Sequence, residues 1–204
     1  MDIHEGMTIL EVGPGTGFYT FEAARCAGAS GHVHAVDIEP KVIAVLDQRI
    51  EEAGVKNITT RVASAYEIPL PDNSVDRALM VGVLPQIPDK HRALGEIRRV
   101  LKKQGLLALA EVLIDPDYPF RKTEIGWCTD TGLELVGDYG SFFFYTLTFR
   151  STDEPLPEEE LRRRGTHAVA STDIWASLFL LPQRGVAGAL SSGDQCIIIL
   201  AVSA

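Results

Sequence analysis

Short apolar segments alternate with longer amphipathic ones over the first half of this chain of 204 residues. Five of the apolar segments are rich in β-branched and aliphatic residues, as strands covered on both faces are. They lie at residues 8–12, 32–36, 58–62, 75–81 and 106–112. Strands that alternate with helices in this way pair into a parallel sheet with crossover helices on its faces. The sequence therefore predicts an α/β fold.

Helices are predicted between the strands at residues 39–53 and 89–103. The first has Pro40 near its first turn and Gly54 after its end, as helices commonly do. The second has Asp89 at its start and Gly105 beyond its last lysines, which are capping and terminating positions.

A hairpin is predicted after the fifth strand. A helical stretch at residues 120–131 is followed by two strands at 133–139 and 142–150, with only Gly140 and Ser141 between them. So short a connection joins antiparallel strands. One antiparallel strand is therefore expected at one edge of the sheet.

The chain is expected to divide near residue 150. Residues 1–150 form the predicted core domain, and residues 151–204 form a linker and a C-terminal extension to which the sequence assigns no role. The extension from residue 166 has few charges and two apolar runs. About 40 residues rarely bury a core of their own. The extension should therefore pack on the core domain, mediate formation of a homo-oligomer, or stay loose.

Charge and composition exclude several classes of protein. Asp and Glu number 28 against 19 Lys and Arg, a net charge of −9, so nucleic acid is a disfavoured partner. No apolar run reaches the roughly 20 residues of a membrane span, and the N-terminus does not resemble a signal peptide. A cytoplasmic location is therefore expected.

The three cysteines, Cys26, Cys128 and Cys196, lack the spacing of a metal site, so reduced thiols and no bound metal are expected.

The segment LEVGPGTG at residues 10–17 carries the strongest functional signal. Glycines at 13, 15 and 17 stand where the first strand turns into the first helix, so the backbone can approach a ligand closely. Their spacing is GxGxG, because Phe18 replaces the last glycine of the dinucleotide fingerprint, and an NAD-dependent oxidoreductase is therefore disfavoured. A nucleotide-type ligand other than a dinucleotide is indicated.

Asp37 at the end of the second predicted strand is the second element of this site. It lies twenty residues beyond Gly17, where a carboxylate can accept hydrogen bonds from both ribose hydroxyls. The alternative role is an N-cap for the helix that begins near Pro40. The glycine loop beside it favours the ribose role.

With these motifs in place, the chain resembles the class I S-adenosylmethionine-dependent methyltransferases from about residue 9 to residue 150. EVGPGTG is similar to their first motif and AVDIEP to their second, and the long segment from IPLPDNSVD to RRVLKKQG is similar to their block before the fifth strand. The resemblance is closest to the small-molecule branch that contains quinone-biosynthesis methyltransferases. It implies a Rossmann-like fold: a mostly parallel seven-stranded sheet, a terminal antiparallel hairpin and helices on both faces.

The resemblance also implies S-adenosyl-L-methionine as the cofactor and names the residues that would bind it. The glycines of the loop would line the methionine portion of the cofactor, and Glu11 would lie near its amino group. Asp37 would bind the ribose, and Ile38 would pack against the adenine. Ser64 stands where the family usually has an aspartate, which predicts modest affinity. The implied cofactor-binding residues are Glu11, Gly13, Gly15, Gly17, Asp37, Ile38, Ser64, Ala65, Val81 and Gly82.

The activity implied is transfer of a methyl group to a small or medium organic acceptor by in-line displacement. The sequence identifies neither the acceptor nor a catalytic residue. Tyr19, Glu111 and Tyr118 are candidates for the acceptor pocket. Arsenite bound by Cys26 and Cys128 is a less favoured option, since both cysteines fall on predicted helix faces.

The alternative is a catalytically weak, methyltransferase-like module that acts through cofactor binding or through its hydrophobic tail. Ser64 favours it. So does the short segment before Ile9, where related enzymes usually have a helical lid. The tail or a partner subunit is then expected to supply the cover over the site.

Overall fold

The computed structural model describes residues 1–112, 119–152, 189–192 and 195–198. Four α-helices are described: α1 (Phe18–Ala27), α2 (Pro40–Ala53), α3 (Lys90–Val100) and α4 (Arg121–Asp130). The first strands are β1 (Asp2–Ile3), β2 (Thr8–Val12), β3 (His32–Asp37), β4 (Ile58–Val62) and β5 (Val75–Val81). The later strands are β6 (Leu101–Val112), β7 (Leu133–Gly140), β8 (Phe144–Ser151), β9 (Ala189–Ser192) and β10 (Gln195–Ile198).

Seven strands form the main sheet, in the order β4-β3-β2-β5-β6-β8-β7. The first five are parallel to one another, while β8 is antiparallel to both β6 and β7. The predicted α/β fold with a terminal hairpin is thus confirmed. The antiparallel strand is one position from the edge, and not at the edge as expected, because the second strand of the hairpin inserts beside β6.

The predicted starts of α2 and α3 agree with the structure to within one residue. Glu39 caps α2 by accepting from the Lys41 amide, and Asp89 caps α3 by accepting from the Arg92 amide. The predicted extension of the second helix to residue 103 is wrong, because α3 ends at Val100 and Leu101 already pairs with β5. Lys102 contacts the Asp76 carboxylate at 2.8 Å and does not cap the helix.

Alternate side chains of the sheet enter two hydrophobic clusters, one on each face. Leu10, Met80 and Leu109 point to the face covered by α3 and α4. Ile9 and Leu79 point to the opposite face, where α1 and Ile3 of β1 pack. Burial on both faces accounts for the near-continuous apolar strands of the sequence, and it fixes the sheet as the scaffold for the loops at its edges.

A second, small sheet joins the two ends of the chain. Strand β10 pairs antiparallel with β1 and with β9, and Ile3 lies opposite Cys196. Part of the C-terminal extension therefore lies beside the N-terminal strand.

Cys26 is disulfide-bonded, so the expectation of three reduced cysteines is wrong for this residue. Within the described residues, no helix has the length and apolar character needed to cross a membrane.

Candidate functional site

The glycine loop between β2 and α1 has a left-handed backbone at each glycine, with φ of 73° at Gly13, 53° at Gly15 and 84° at Gly17. A Cβ at Gly13 or Gly17 would lie 2.4 Å from a methyl group of Val83 or Leu46, respectively. A Cβ at Gly15 would meet nothing within 4 Å. Packing therefore requires two of the glycines, and Gly15 faces open space where a ligand can approach the backbone.

The predicted cofactor residues meet at one edge of the sheet. Parallel register aligns Val12 with Val36 and with Met80, and Asp37 with Val62. The segments after β2, β3, β4 and β5 therefore all leave the sheet at its carboxyl edge, where open α/β sheets bind their ligands. The structure thus brings the glycine loop, Asp37–Ile38, Ser64–Ala65 and Val81–Gly82 to a single edge.

Glu11 is a buried carboxylate beneath the glycine loop. It is 2% exposed and accepts a hydrogen bond from the Thr20 hydroxyl of α1. Burial raises the pKa of Glu11 to about 7, although the Thr20 hydrogen bond lowers it. Burial, and next to it the charge of Glu11, also raises the pKa of the neighbouring Tyr19. Near neutral pH, Glu11 therefore populates both protonation states.

Asp37 shapes the turn between β3 and α2. Its Oδ1 accepts from the Glu39 amide at 2.9 Å, while Glu39 itself caps the helix. The alternative N-cap role of Asp37 is therefore wrong, since Asp37 holds the turn two residues before the cap.

Two apolar side chains flank Asp37 and are open to solvent. Ile38 is 73% exposed, and Val62, which pairs with Asp37 in register, is 53% exposed. Such a surface suits the flat face of an adenine ring. Sequence reasoning named Ile38 and missed Val62. The available signal was an apolar residue at the carboxyl end of the strand next to Asp37.

Ser64 and Ala65 follow β4. The Ser64 hydroxyl accepts from the Tyr66 amide at 3.2 Å, and Ala65 packs against the cluster on the α3 face. Tyr66 in turn accepts from the Asp89 amide through its hydroxyl and stacks under Arg92 at 4.8 Å. Ser64 thus belongs to a turn after β4 that Tyr66 attaches to the start of α3.

Val81 and Gly82 end β5 next to the glycine loop. The Gly82 amide donates to Ala110 at 2.9 Å, and its carbonyl accepts from Gln86 at 2.6 Å. The following residue, Val83, is the one that approaches Gly13. The segment after β5 therefore packs against the first glycine of the loop.

Glu111 lies at the end of β6, fully buried and opposite Tyr145 of β8. The carboxylate of Glu124, on α4, is also fully buried. Burial raises the pKa of Glu124 to about 7, and the neighbouring Tyr145 and Glu111 oppose this rise. Sequence reasoning missed Glu124, which has no signal in the sequence. Of the other acceptor-pocket candidates, Tyr19 is the second residue of α1, and Tyr118 lies outside the described residues.

The two cysteines considered for arsenite lie on opposite faces of the sheet. Cys26 packs in the cluster on the α1 face and is disulfide-bonded, while Cys128 is buried in the cluster on the α4 face. Burial raises the pKa of the Cys128 thiol. These two residues cannot bind one metalloid ion together.

Over residues 1–112 and 119–152, no cluster of three or more His, Cys, Asp or Glu side chains could hold a metal ion.

Several known methyltransferases are similar to this chain in sequence. Residues 3–128 match the family model described as a methyltransferase domain. An arsenite methyltransferase from Halobacterium salinarum is 31% identical over 114 residues, which are 56% of this chain and 29% of that protein. A demethylmenaquinone methyltransferase from Bacillus subtilis is 30% identical over 122 residues, 60% of this chain and 52% of that protein. The chain therefore spans about half the length of these relatives, or less.

The fold is also that of a solved methyltransferase. The crystal structure of a SAM-dependent methyltransferase from Aquifex aeolicus superposes with a TM-score of 0.69 at 25% identity. The match covers 74% of this chain and 85% of that one.

Proposed function

Because the chain belongs to the methyltransferase domain family, we propose that it is an enzyme that transfers a methyl group from S-adenosyl-L-methionine to a small or medium organic acceptor. The observation that carries the proposal is the open backbone at Gly15, where no atom lies within 4 Å of a would-be Cβ. Glu11, Asp37 and Gly82 lie at or next to the same carboxyl edge of the sheet. A ligand with a charged amino acid end, a ribose and a flat base fits such a set of groups.

Each part of the cofactor has a matching group at this edge. The backbone of the glycine loop would accommodate the methionine portion, with the buried Glu11 as the acceptor for its ammonium group. Asp37 would bind the ribose through the carboxylate oxygen that the Glu39 amide does not use. Ile38 and Val62 would cover the adenine ring, with Ser64 and Ala65 at its edge and Val81 and Gly82 beside the sulfur.

The chemistry proposed is in-line displacement. Bound S-adenosylmethionine supplies a methyl group on a positively charged sulfur, which needs no activation by the protein. The chain's residues then act mainly by alignment, since a well-oriented pair of reactants loses little further entropy on reaction. Gly13 and Val83 fix the spacing between the ends of β2 and β5, and the Gly82–Ala110 hydrogen bond fixes β5 against β6.

The acceptor is proposed to bind on the side of β6. Tyr19, Glu111 and Tyr118 are the acceptor-pocket candidates. Glu111 is buried beside Glu124 and Tyr145, so we propose that it acts on the acceptor only through its neighbours.

A catalytically weak module is the second candidate function, and one observation favours it. The Ser64 hydroxyl is engaged by the Tyr66 amide, and a neutral acceptor binds a donor less strongly than a carboxylate does. Weak cofactor binding with no turnover would fit this reading.

We also propose that residues 1–150 form the methyltransferase domain and that the extension packs on it. The pairing of β10 with β1 supports this division. A role of the extension in forming a homo-oligomer stays a prediction.

The experiment that tests the proposed function is isothermal titration of the full chain with S-adenosylmethionine, S-adenosylhomocysteine and NAD. Micromolar binding of the first two compounds with none of NAD is expected. A panel of organic acceptors incubated with the cofactor then separates the two candidates: methylated product supports the enzyme, and binding without any product supports the weak module. Absence of binding to all three compounds would refute the enzyme and would leave only a module that acts through its hydrophobic tail.

A further inference from the structure

The segment between β4 and β5 contains the residues that are proposed to lie at the edge of the adenine ring. Its residues 63–74, all of which the structure describes, include no helix and no strand. At its start the Ala63 amide donates to the Asp37 carbonyl at 2.9 Å, and Ser64–Ala65 follow. A segment without regular structure keeps one conformation only where other contacts fix it. The shape of this part of the proposed site therefore depends on what the segment packs against.

Arg99 of α3 binds this segment at several positions. Its Nη2 donates to the Ile68 carbonyl and its Nη1 to the Leu70 carbonyl, both at 3.0 Å. Nη1 also contacts the Asp72 carboxylate, and the Arg99 carbonyl accepts from the Asn73 amide at 3.0 Å. A planar guanidinium directs several donors at once in fixed directions, which a lysine ammonium does not. The side chain of Arg99 therefore fixes three positions of the segment, and its carbonyl fixes a fourth.

Glu96 holds the same segment from one turn earlier in α3. Its Oε1 accepts from the Ile68 amide at 2.8 Å. Its Oε2 accepts from Arg99 Nε and its Oε1 from Arg99 Nη2, both at 2.8 Å. The hydrogen bond with Arg99 is the main cause of the lowered pKa of Glu96, so this carboxylate is charged at neutral pH. We refer to Glu96 and Arg99 as the α3 clamp, which binds Ile68 through both its amide and its carbonyl.

A tight turn connects Ile68 to the proposed adenine edge, and we refer to its residues 64–67 as the Ser64 turn. The Ser64 carbonyl accepts from the Glu67 amide at 3.1 Å, and the Ser64 hydroxyl accepts from the Tyr66 amide at 3.2 Å. Tyr66 attaches the turn to the start of α3 near its middle, and the α3 clamp holds the residue that follows it. Because a closed turn has little freedom of its own, a displacement of Ile68 also displaces the Ser64 turn.

The α3 clamp joins two distant parts of the sequence block that resembles the methyltransferases. The first part, IPLPD, begins at Ile68, and the second part, EIRRV, begins at Glu96. The Glu96 carboxylate and the Ile68 amide are 28 residues apart along the chain and in direct contact. The resemblance in this block therefore coincides with a polar contact beside the proposed adenine edge.

We propose that the α3 clamp holds the Ser64 turn where it can bind the edge of the adenine ring, and thereby sets the preference of the site for adenine over other bases. This inference rests on the proposed function, because it assumes that S-adenosylmethionine binds at the carboxyl edge of the sheet. Glu96 and Arg99 are positioning residues, which act on the cofactor only through the turn. A turn that is ordered before binding costs less affinity than one that the ligand must order. Weakening the clamp therefore lowers both the affinity and the base preference.

The test compares S-adenosylhomocysteine with S-inosylhomocysteine by calorimetric titration of the full chain. The second compound has an oxygen and a ring N–H where adenine has an amino group and an unprotonated ring nitrogen, so the donors and acceptors at the base edge are reversed. The first variant is Arg99→Lys, which keeps the charge and loses the planar guanidinium. The matched control is Arg98→Lys, since Arg98 donates to the Thr152 carbonyl at 3.1 Å, outside the clamped segment. Thermal melts check that each variant folds.

The wild type and Arg98→Lys are expected to bind S-adenosylhomocysteine equally well. Both should prefer it to S-inosylhomocysteine by about tenfold or more, because the mismatched base leaves hydrogen-bonding groups unpaired. Arg99→Lys should bind S-adenosylhomocysteine about three- to tenfold more weakly, since the ligand must then order the turn. Its base preference should fall to about threefold or less, because a displaced turn discriminates poorly.

Glu96→Gln is a second variant, which keeps an oxygen for the Ile68 amide and loses the charge that pairs with Arg99. Its affinity and base preference should lie between those of the wild type and Arg99→Lys, since a hydrogen bond to a neutral group is weaker than one to a charged group. A Glu96→Gln variant that folds also keeps the test valid if Arg99→Lys does not fold.

The outcomes separate this inference from the proposed function. If the wild type binds neither compound, the proposed function fails and the inference falls with it. If the wild type binds S-adenosylhomocysteine with a base preference that both clamp variants retain, the inference alone is overturned. A wild type that binds the two compounds equally would overturn it as well. So would an equal loss of affinity for both compounds in the clamp variants, which would assign the α3 clamp to stability and not to base preference.

Discussion

Gly13 and Val83 meet across the gap between the ends of β2 and β5, and a Cβ on Gly13 would lie 2.4 Å from Val83 Cγ2. Gly13→Ala should therefore destabilise the fold by about 2–3 kcal/mol, from overpacking and from the left-handed backbone at this position. Removing the methyl groups with Val83→Ala should recover the overpacking part in the double variant. Urea unfolding of all four proteins measures the coupling. Strict additivity would show that the two residues do not constrain each other.

Gly15 and Gly54 form a natural pair for testing the ligand role of the loop. Both have positive φ, 53° and 66°, and both have open space where a Cβ would lie. Gly15→Val and Gly54→Val should therefore cost similar stability through backbone strain. Gly15→Val alone should abolish binding of S-adenosylmethionine, because its side chain would fill the cradle. Calorimetric titration measures both variants, and retained affinity in Gly15→Val would place the cofactor elsewhere.

Asp37 has a turn role in the structure and a proposed ribose role, and two substitutions separate them. Asp37→Asn keeps an oxygen that can accept from the Glu39 amide but loses the charge, whereas Asp37→Ala loses both. Cofactor binding should weaken by about 1.5–3 kcal/mol in both variants, as expected for a charged acceptor. Only Asp37→Ala should also lower the melting temperature. Wild-type affinity in Asp37→Asn would leave Asp37 with the turn role alone.

The regular parts of the fold were predictable because local pattern and tertiary pairing agree. Residues 58–62 and 75–81 form strands over the predicted ranges, since the first is rich in β-branched residues and the second is mostly apolar. The end of α3 was not predictable in this way. Leu101 to Lys103 continue the helical pattern with favourable charges, but pairing of Leu101 with Val75 draws them into β6.

Site residues on motifs were predictable, and those that depend on tertiary contact were not. The glycine loop and Asp37 follow strands whose positions the sequence sets, so their meeting at one edge follows from parallel topology. Glu124 meets Glu111 only because α4 packs against β6 and β8. A lone glutamate in a helical segment carries no sign of such burial.

Glu11 should make cofactor binding depend on pH. Burial raises its pKa to about 7, against the lowering effect of Thr20, and only its ionised form attracts the ammonium group of the cofactor. The dissociation constant should therefore fall as the pH rises from 6 to 7.5, by up to about tenfold. Titrations at several pH values measure the effect. Glu11→Gln should bind more weakly and show a flat profile over this range, and an unchanged profile in the variant would show that another group is responsible.

Glu124 should make the stability of the fold depend on pH in the opposite sense from a salt-bridged carboxylate. Its pKa is raised from 4.5 to about 7 by burial, so between these values the folded chain binds more protons than the unfolded chain. The contribution of Glu124 to the free energy of unfolding should therefore be highest below about pH 4.5. It should fall as the pH rises toward 7 and level off above 7, with a total loss of up to about 3 kcal/mol.

Glu124→Gln, which resembles the protonated form, should match the wild type near pH 5 and exceed its stability at pH 8. Urea unfolding at each pH tests this, with the exposed Glu134→Gln of β7 as the control that should follow the wild type throughout. A Glu124→Gln variant whose stability falls with pH as steeply as that of the wild type would assign the dependence to other groups, of which Glu11 is the first to examine.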